Sequence, residues 1–411
     1  MTATSIDHMV SLIIFISAIM LFIGMFSQTI QTGVEYQLHR VVSSKASDLL
    51  DNILLSPGIP TDWGQKSAAP EGFGLQAVEF TQYQLSPFSL MRLSSSTGTP
   101  VSYSVKGQTY SNITMGFGQS LLVPLNQVID YSTASELLGV NGSYGFSLTL
   151  TPIVNVDISE TQDSSQLSLS AEGPGFPLAN AEVDYALITV TGHIGSSPTY
   201  NIAYGTTTTD NAGLAVINLG FDGSSTAYAL IATAHLSGLV GIGYHEHVLY
   251  DDAYIIPLVN GFADGEDPCS VILAHSRDVL GIGDPDVALN YKATFVVLTE
   301  DFKLRESQFA NETGSADGYV NPPLRSYDTL TLDTSNPGIL VIAYNDANNA
   351  TAKGVVVMPW GLSSLAFPMT FGGDLSKASW VATDIRQVMI DGVAYQAKLG
   401  VWSLNGYQVN G

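Results

Sequence analysis

The sequence predicts a mainly β protein on a helical stalk: one long N-terminal α-helix, then two or three β-sandwich-type domains. Three observations carry this. Met9–Phe26 is an almost unbroken apolar run. The next thirty residues keep apolar side chains at helical spacing up to Ser56-Pro57-Gly58. Beyond Trp63 the chain changes to short alternating runs separated by Gly, Pro, Asn and Ser, the pattern of strands and turns.

The apolar run, MVSLIIFISAIMLFIGMF, has only Ser11 and Ser17 as polar residues. At 1.5 Å per residue it spans roughly 27 Å, enough to cross the hydrocarbon core of a bilayer with its uncharged flanks. It lacks the basic start and small-residue cleavage site of a removable signal, so it is expected to stay as an anchor. Ser11, Ser17, Ala18 and Gly24 are the small residues that let such helices approach one another.

The helix is expected to continue from about Asp7 to Leu55. Ile30, Val34, Leu38, Val42, Leu49, Leu50, Ile53 and Leu54 recur at three- and four-residue spacing, with Gln31, Glu35, Arg40, Lys45 and Asp48 between them. This outer stripe must pack on the protein's own ectodomain or on a neighbour's helix. The helix reads as separable, so a chain cut before about Gly58 is expected to keep a folded β-rich ectodomain. The blocks are 1–28 (membrane or filament-core helix), 29–57 (amphipathic extension), 58–151 (β-rich), 152–257 (β-sandwich) and 258–411 (C-terminal β-rich).

Acidic residues number 37 against 14 basic ones, and no Lys or Arg occurs between Lys106 and Arg277. Nucleic-acid binding needs cations against phosphates, so that partner class is excluded. Such a surface suits a protein facing water outside a cell, which sets the expected localisation: cell surface, anchored by the N-terminal helix. Asn112, Asn141, Asn311 and Asn349 head Asn-x-Ser/Thr sequons beyond the helix and are candidate glycan acceptors. Cys269 stands alone, which rules out an intrachain disulfide and reads as a small buried hydrophobe.

In the first β block, strands are expected at Gln76–Tyr83, Val101–Val105 and Tyr144–Leu150, with a short helix at Ser132–Leu138. In the middle block they fall at Gln166–Ser170, Leu214–Leu219 and Tyr228–Ala234. Asp210-Asn211-Ala212-Gly213 supplies the turn before the second of these, with Gly at the positive-φ position. In the last block they fall at Ala293–Thr299, Gly338–Tyr344, Gly354–Pro359, Val388–Ala394 and Ala397–Ser403.

Two resemblances follow from these residues. The helix together with Ser56-Pro57-Gly58-Ile59-Pro60-Thr61-Asp62-Trp63 resembles archaeal type IV pilin-like surface proteins, many of which carry an SPG-x-P-x-x-W junction. That likeness implies self-association into a filament whose core is the apolar helices. It also assigns Asp7 as the assembly residue that neutralises a neighbour's amino terminus. The Pro177-Leu178-Ala179-Asn180-Ala181-Glu182-Val183 strand start and the Thr209–Gly213 hairpin look like immunoglobulin-like or transthyretin-like modules of surface proteins. The middle block is therefore expected to be an Ig-like sandwich.

Candidate chemistry is sparse. His245 and His247 share one face of a strand, and with Asp251 (or Asp252) they form the candidate metal site; the plainer alternative is an exposed strand end. Acidic turns at Asp264–Asp267 and Asp284–Asp286 are candidate calcium sites. No Gly-x-Ser-x-Gly elbow, phosphate loop or dinucleotide fingerprint occurs, so no enzymatic centre and no required cofactor are expected. The function expected is a structural surface protein, a pilin-like filament subunit or a membrane-tethered stalk. The alternative is an anchored adhesin or glycan-binding module in which Trp360 or Trp402 offers a stacking surface.

Overall fold

The computed structural model describes residues 3–78, 82–93, 100–103, 107–114, 120–193, 195–249, 253–264, 268–281, 287–299, 302–317, 328–332, 336–349, 351–361, 368–378 and 380–404. The N-terminal element is one helix, Ala3–Leu55, of 53 residues, about 80 Å long. No Pro interrupts it, and its two glycines, Gly24 and Gly33, lie in open space.

Its two halves have different surroundings. From His8 to Gln37 every residue is exposed, and the apolar half carries a window of mean hydropathy 2.7. From Val42 onward the stripe turns into core: Val42, Ala46, Leu49, Leu50, Ile53 and Leu54 are all buried. They pack on the strands Ala382–Ile390 and Val393–Ser403. Polar contacts fix the seam. The Arg386 guanidinium lies 3.3 Å from Asp51 and 2.5 Å from Asp384, and donates to the Ser47 hydroxyl at 3.1 Å. Above them His39 stacks on Trp380, with ring centroids 4.1 Å apart. From Val42 onward the stripe is thus satisfied by the protein's own β-fold, while its first members, Ile30 and Val34, stay exposed.

That fold is built from five sheets among the described residues. The docking sheet runs Met369–Gly372, Tyr144–Pro152, Val393–Ser403, Ala382–Ile390, all antiparallel. A six-stranded sheet joins Val101–Tyr103, Gln108–Thr114 and Ser120–Pro124 to Ile255–Gly261, Ser270–His275 and Asp328–Thr331. A four-stranded sheet orders Leu304–Asp317, Ala288–Leu298, Gly338–Asp346 and Lys353–Trp360. Strands from 101–152 therefore pair with strands from 255–403, so the pairing cuts across the block edges drawn at 151 and 258.

The middle block is a β-sandwich. Asn155–Glu160, Gln166–Gly173 and Leu214–Asn218 form one layer; Thr199–Thr208, Glu182–Thr191, Tyr228–Leu236 and Leu239–His247 form the other. Alternation does the work expected of it: Leu167, Leu169 and Ala171 point inward to meet Val183, Leu187, Leu230 and Ala232 in a separate core. The hairpin turn behaves as its residues dictate, with Gly213 at φ 76° and the Asp210 carboxylate accepting from the amides of Ala212 and Leu214.

Two expected strands differ. Of the expected strand Gln76–Tyr83, residues 79–81 lie outside the described residues, and the described ones form no strand: a single bridge joins Gln76 to Leu85, and Tyr83 sits at φ 64°. Val388–Ala394 is the end of one strand and the start of the next, broken at Asp391-Gly392, both at positive φ. Asp-Gly is a strong two-residue hairpin signal, and it outweighs the continuous apolar run around it.

The docked helix also corrects the expectation that a chain cut before Gly58 folds. A chain beginning at Tyr36 is expected to give a cooperative β-rich ectodomain, whereas one beginning at Gly58 aggregates or loses its unfolding transition, as read by circular dichroism in urea. In the full chain, Leu50→Ala is expected to cost about 2–5 kcal/mol.

Candidate functional site

Most of the residues singled out in the sequence gather in three places: the free helix, the junction after it, and one corner of the sandwich.

On the free helix, Ser11, Ser17, Ala18 and Gly24 are exposed, and a Cβ on Gly24 meets nothing within 4 Å. Asp7 lies in the first turns of the helix. No intramolecular contact accounts for the small side chains at these positions.

The junction is held by two side chains. The helix stops at Leu55, the Ser56 hydroxyl accepts from the Gly58 amide at 3.3 Å, and Gly58 turns the chain at φ 84°. The Trp63 indole N–H then donates to the carbonyls of Pro57 at 3.1 Å and Gly74 at 3.0 Å. A Cβ at Gly58 would lie 2.7 Å from that indole, so both the conformation and the close approach require glycine.

Beneath Trp63 lies Arg92, fully buried, with its guanidinium facing no carboxylate in its hydrogen bonds. It donates to the carbonyls of Gln127 (2.8 Å), Lys66 (2.5 Å), Ala68 (3.1 Å), Ser67 (3.3 Å) and Trp63. The rings of Trp63 and Phe262 flank it at 5.5 and 5.3 Å. Burial pulls its pKa down to about 10, so it stays charged at neutral pH. Sequence reasoning missed Arg92, because nothing local distinguishes it from a surface arginine.

At the sandwich corner, His245 and His247 do share a face, but the carboxylate they meet is Glu160, from the facing layer. Its Oε1 lies 2.8 Å from His247 Nδ1 and 3.6 Å from His245 Nε2. Tyr228 stacks on His247 with centroids 5.4 Å apart. Asp251 and Asp252 lie outside the described residues. Among the described residues no three His, Cys, Asp or Glu side chains are grouped to hold a metal ion. The geometry is that of a clip between layers, with Glu160 shared by two imidazoles. The acidic turns fall largely outside the described residues, with Asp264 alone included.

Hydrogen bonding to His247 holds the Glu160 carboxyl below its usual range. Burial lowers the His245 imidazole.

Of the sequons, Asn141 occupies an exposed turn, Asn311 is exposed on the strand Leu304–Asp317, and Asn349 is exposed beside the strand Gly338–Asp346. Asn349 accepts hydrogen bonds from the Thr351 amide and hydroxyl. Asn112 lies in the strand Gln108–Thr114. Cys269 is buried, and burial pushes its thiol up to about 12, which leaves it inert. Trp360 and Trp402 are 0% and 6% exposed, so neither offers the stacking surface expected of a glycan-binding face.

No family model and no curated protein matches this sequence. Solved structures do match. One is a tetra-tandem repeat in the extending region of a large adhesion protein: 13% identity, TM-score 0.18, covering 51% of this chain and 50% of that one. Another is trypsin-activated α2-macroglobulin from Escherichia coli: 11% identity, TM-score 0.22, covering 71% and 20%. A third is red sea bream transglutaminase: 10% identity, TM-score 0.19, covering 62% and 37%. The chain thus spans half or less of each of these. At such scores the likenesses carry no argument about what it does.

Two outcomes are expected. Arg92→Met removes the donors to five carbonyls, one buried and four part-buried, and should cost about 3 kcal/mol in urea unfolding, since a buried acceptor left without a partner costs about 1–3 kcal/mol and water can answer the part-buried ones; Arg92→Lys should recover only part of it. The second concerns pH. The folded state disfavours a proton on His245, so stability is lost as pH falls below the ordinary imidazole value of 6.5. It disfavours one on Glu160 as well, so a further loss begins below 4.5. The Tm should therefore drop between pH 7 and 5, and His245→Gln should flatten that upper step while leaving the lower one.

Proposed function

We propose that the chain is a structural cell-surface protein: residues 8–26 hold it in the membrane, and the same helix forms the core of a pilus-like filament when copies associate. The observation that carries this reading is the division of one continuous helix. Thirty residues, from His8 to Gln37, meet nothing in the chain, while the turns from Val42 to Leu54 are core. A subunit whose ectodomain is fixed to the end of a bare apolar helix has what a filament sheath requires. The junction that resembles archaeal pilin-like proteins supports the same reading, because Trp63 and Gly58 give that motif a mechanical purpose. Exposed Asn141, Asn311 and Asn349 suit a glycosylated outer surface.

The rival reading is a lone membrane tether, and Gly24 separates the two. Within one chain a larger side chain there meets nothing, so Gly24→Leu leaves folding and membrane insertion unchanged. Where helices pack against helices, overpacking costs about 1–3 kcal/mol per site, repeated at every subunit. Gly24→Leu and Asp7→Ala are expected to abolish filaments in negative-stain micrographs of the native protein. Filaments formed by both variants, or none formed by the parent, leave the tether. Protease added to intact cells is expected to release an acidic soluble fragment; release only after lysis reverses the orientation.

A further inference from the structure

Two cavities meet beside the Asp391-Gly392 turn. The smaller, about 320 Å³, lies where three sheets converge. Thr233 and His235 enter it from the sandwich, Leu298 from the strand Ala288–Leu298, and Val393 from the docking sheet. The larger, about 470 Å³, opens towards the helix junction, with Gln65, Gln84 and Asn336 in its wall. Pro337 and Asp391 line both, so the two chambers share a waist.

The smaller chamber has apolar walls, among them Ile242 and Phe302, and one unanswered polar group. Thr233 is 2% exposed, and its hydroxyl has no hydrogen-bond partner among the described residues. A buried hydroxyl without a partner is costly, and a ligand atom that completes it recovers that cost.

The polar groups of the two chambers define what fits. No Lys or Arg lines either one, while Asp391 stands at the waist and Asp62 in the larger wall, which turns anions away. Asp62 is already paired with Lys66 at 3.4 Å, and Asp391 also has a partner within the fold, so neither carboxylate of the chambers stands alone to draw a free cation. The remaining groups are the hydroxyls of Thr233, Thr299, Thr61 and Ser86, one imidazole and three amides, all of which both donate and accept. Alternating apolar wall and two-way hydrogen-bonding groups match a chain of hydroxyls on a carbon frame. The volumes lie in the range of ordinary ligand sites, at a junction of structural units where such sites concentrate.

We propose that this double cavity binds a neutral saccharide of two or three sugar units. One sugar sits in the smaller chamber, its C–H face on Ile242 and Phe302 and a hydroxyl bonded to Thr233. The chain passes Asp391, which accepts from a hydroxyl, into the amide-lined chamber. The site belongs to the ectodomain, so it operates in a filament subunit and in a tethered monomer alike.

Saturation-transfer NMR on the full chain in detergent tests this with maltotriose, cellotriose and mannotriose as neutral probes, trigalacturonate as the anion and spermidine as the cation. At least one neutral trisaccharide is expected to bind. Thr233→Val, which keeps side-chain shape, should weaken it about tenfold, the loss of one buried hydrogen bond. Asp391→Asn, which tolerates the positive-φ turn, should weaken it as well and decides the matter if the first variant unfolds. The proposal is overturned if no neutral trisaccharide binds. It is equally overturned if binding survives both substitutions, or if the substitution-sensitive probe is spermidine or trigalacturonate.

Discussion

The burial of the helix's last turns is the constraint on which the rest depends. Leu49, Leu50, Ile53 and Leu54 are core residues of the helix, which packs on the strands Ala382–Ile390 and Val393–Ser403 of the docking sheet. Bending this helix between its apolar half and its docked half breaks backbone hydrogen bonds that otherwise run unbroken from Ala3 to Leu55. The ectodomain is thereby joined to the apolar half by continuous helix. Arg386, bridging Ser47, Asp51 and Asp384, adds direction to an interaction that hydrophobic burial alone leaves free to slide.

Holding the head to the helix then falls to the junction. A helix end leaves carbonyls without partners, and here the amides of Leu75 and Gln76 donate to those of Ile53 and Ser56 as the chain folds back. Trp63 fixes that return by donating to Pro57 and Gly74, and Arg92 below it gathers the carbonyls of residues 63, 66, 67 and 68. A buried cation without a carboxylate is expensive; five carbonyl dipoles and two ring faces offset the cost. A neutral side chain has too few donors for the task, and lysine lacks the planar fork that reaches several carbonyls at once.

What could be read from the sequence was what is local. The helix, its end at Leu55, the Asp210–Gly213 turn and the alternating strands of the sandwich all follow from spacing within a dozen residues. The Asp391-Gly392 hairpin was equally local and was obscured by the apolar run around it. Other features depend on distant partners. Glu160 reaches His245 and His247 across more than eighty residues, Arg92 finds Gln127, and Thr233 faces the turn at Asp391 across three sheets. Side chains of this kind look ordinary in sequence, because their meaning lies in burial and pairing that only the tertiary fold supplies.

The strand pairing also orders the events of folding. Tyr144–Pro152 pairs with Val393–Ser403, in a register that sets Tyr144 against Ser403. The helix in turn packs on Ala382–Ile390 and Val393–Ser403, the last strands of the described chain. Both contacts close very long loops, whose entropy must be met before the contact gives anything back. The apolar turns from Val42 to Leu54 therefore stand uncovered until the strands Ala382–Ile390 and Val393–Ser403 have been made. The sandwich, with its own core of local hairpins, has no such dependence and can order first. In the membrane-held form proposed above, the uncharged apolar half of the helix would solve part of the difficulty, entering the bilayer first and holding the unfinished turns at its surface. An anchor of that kind would protect the folding of the ectodomain as well as position it.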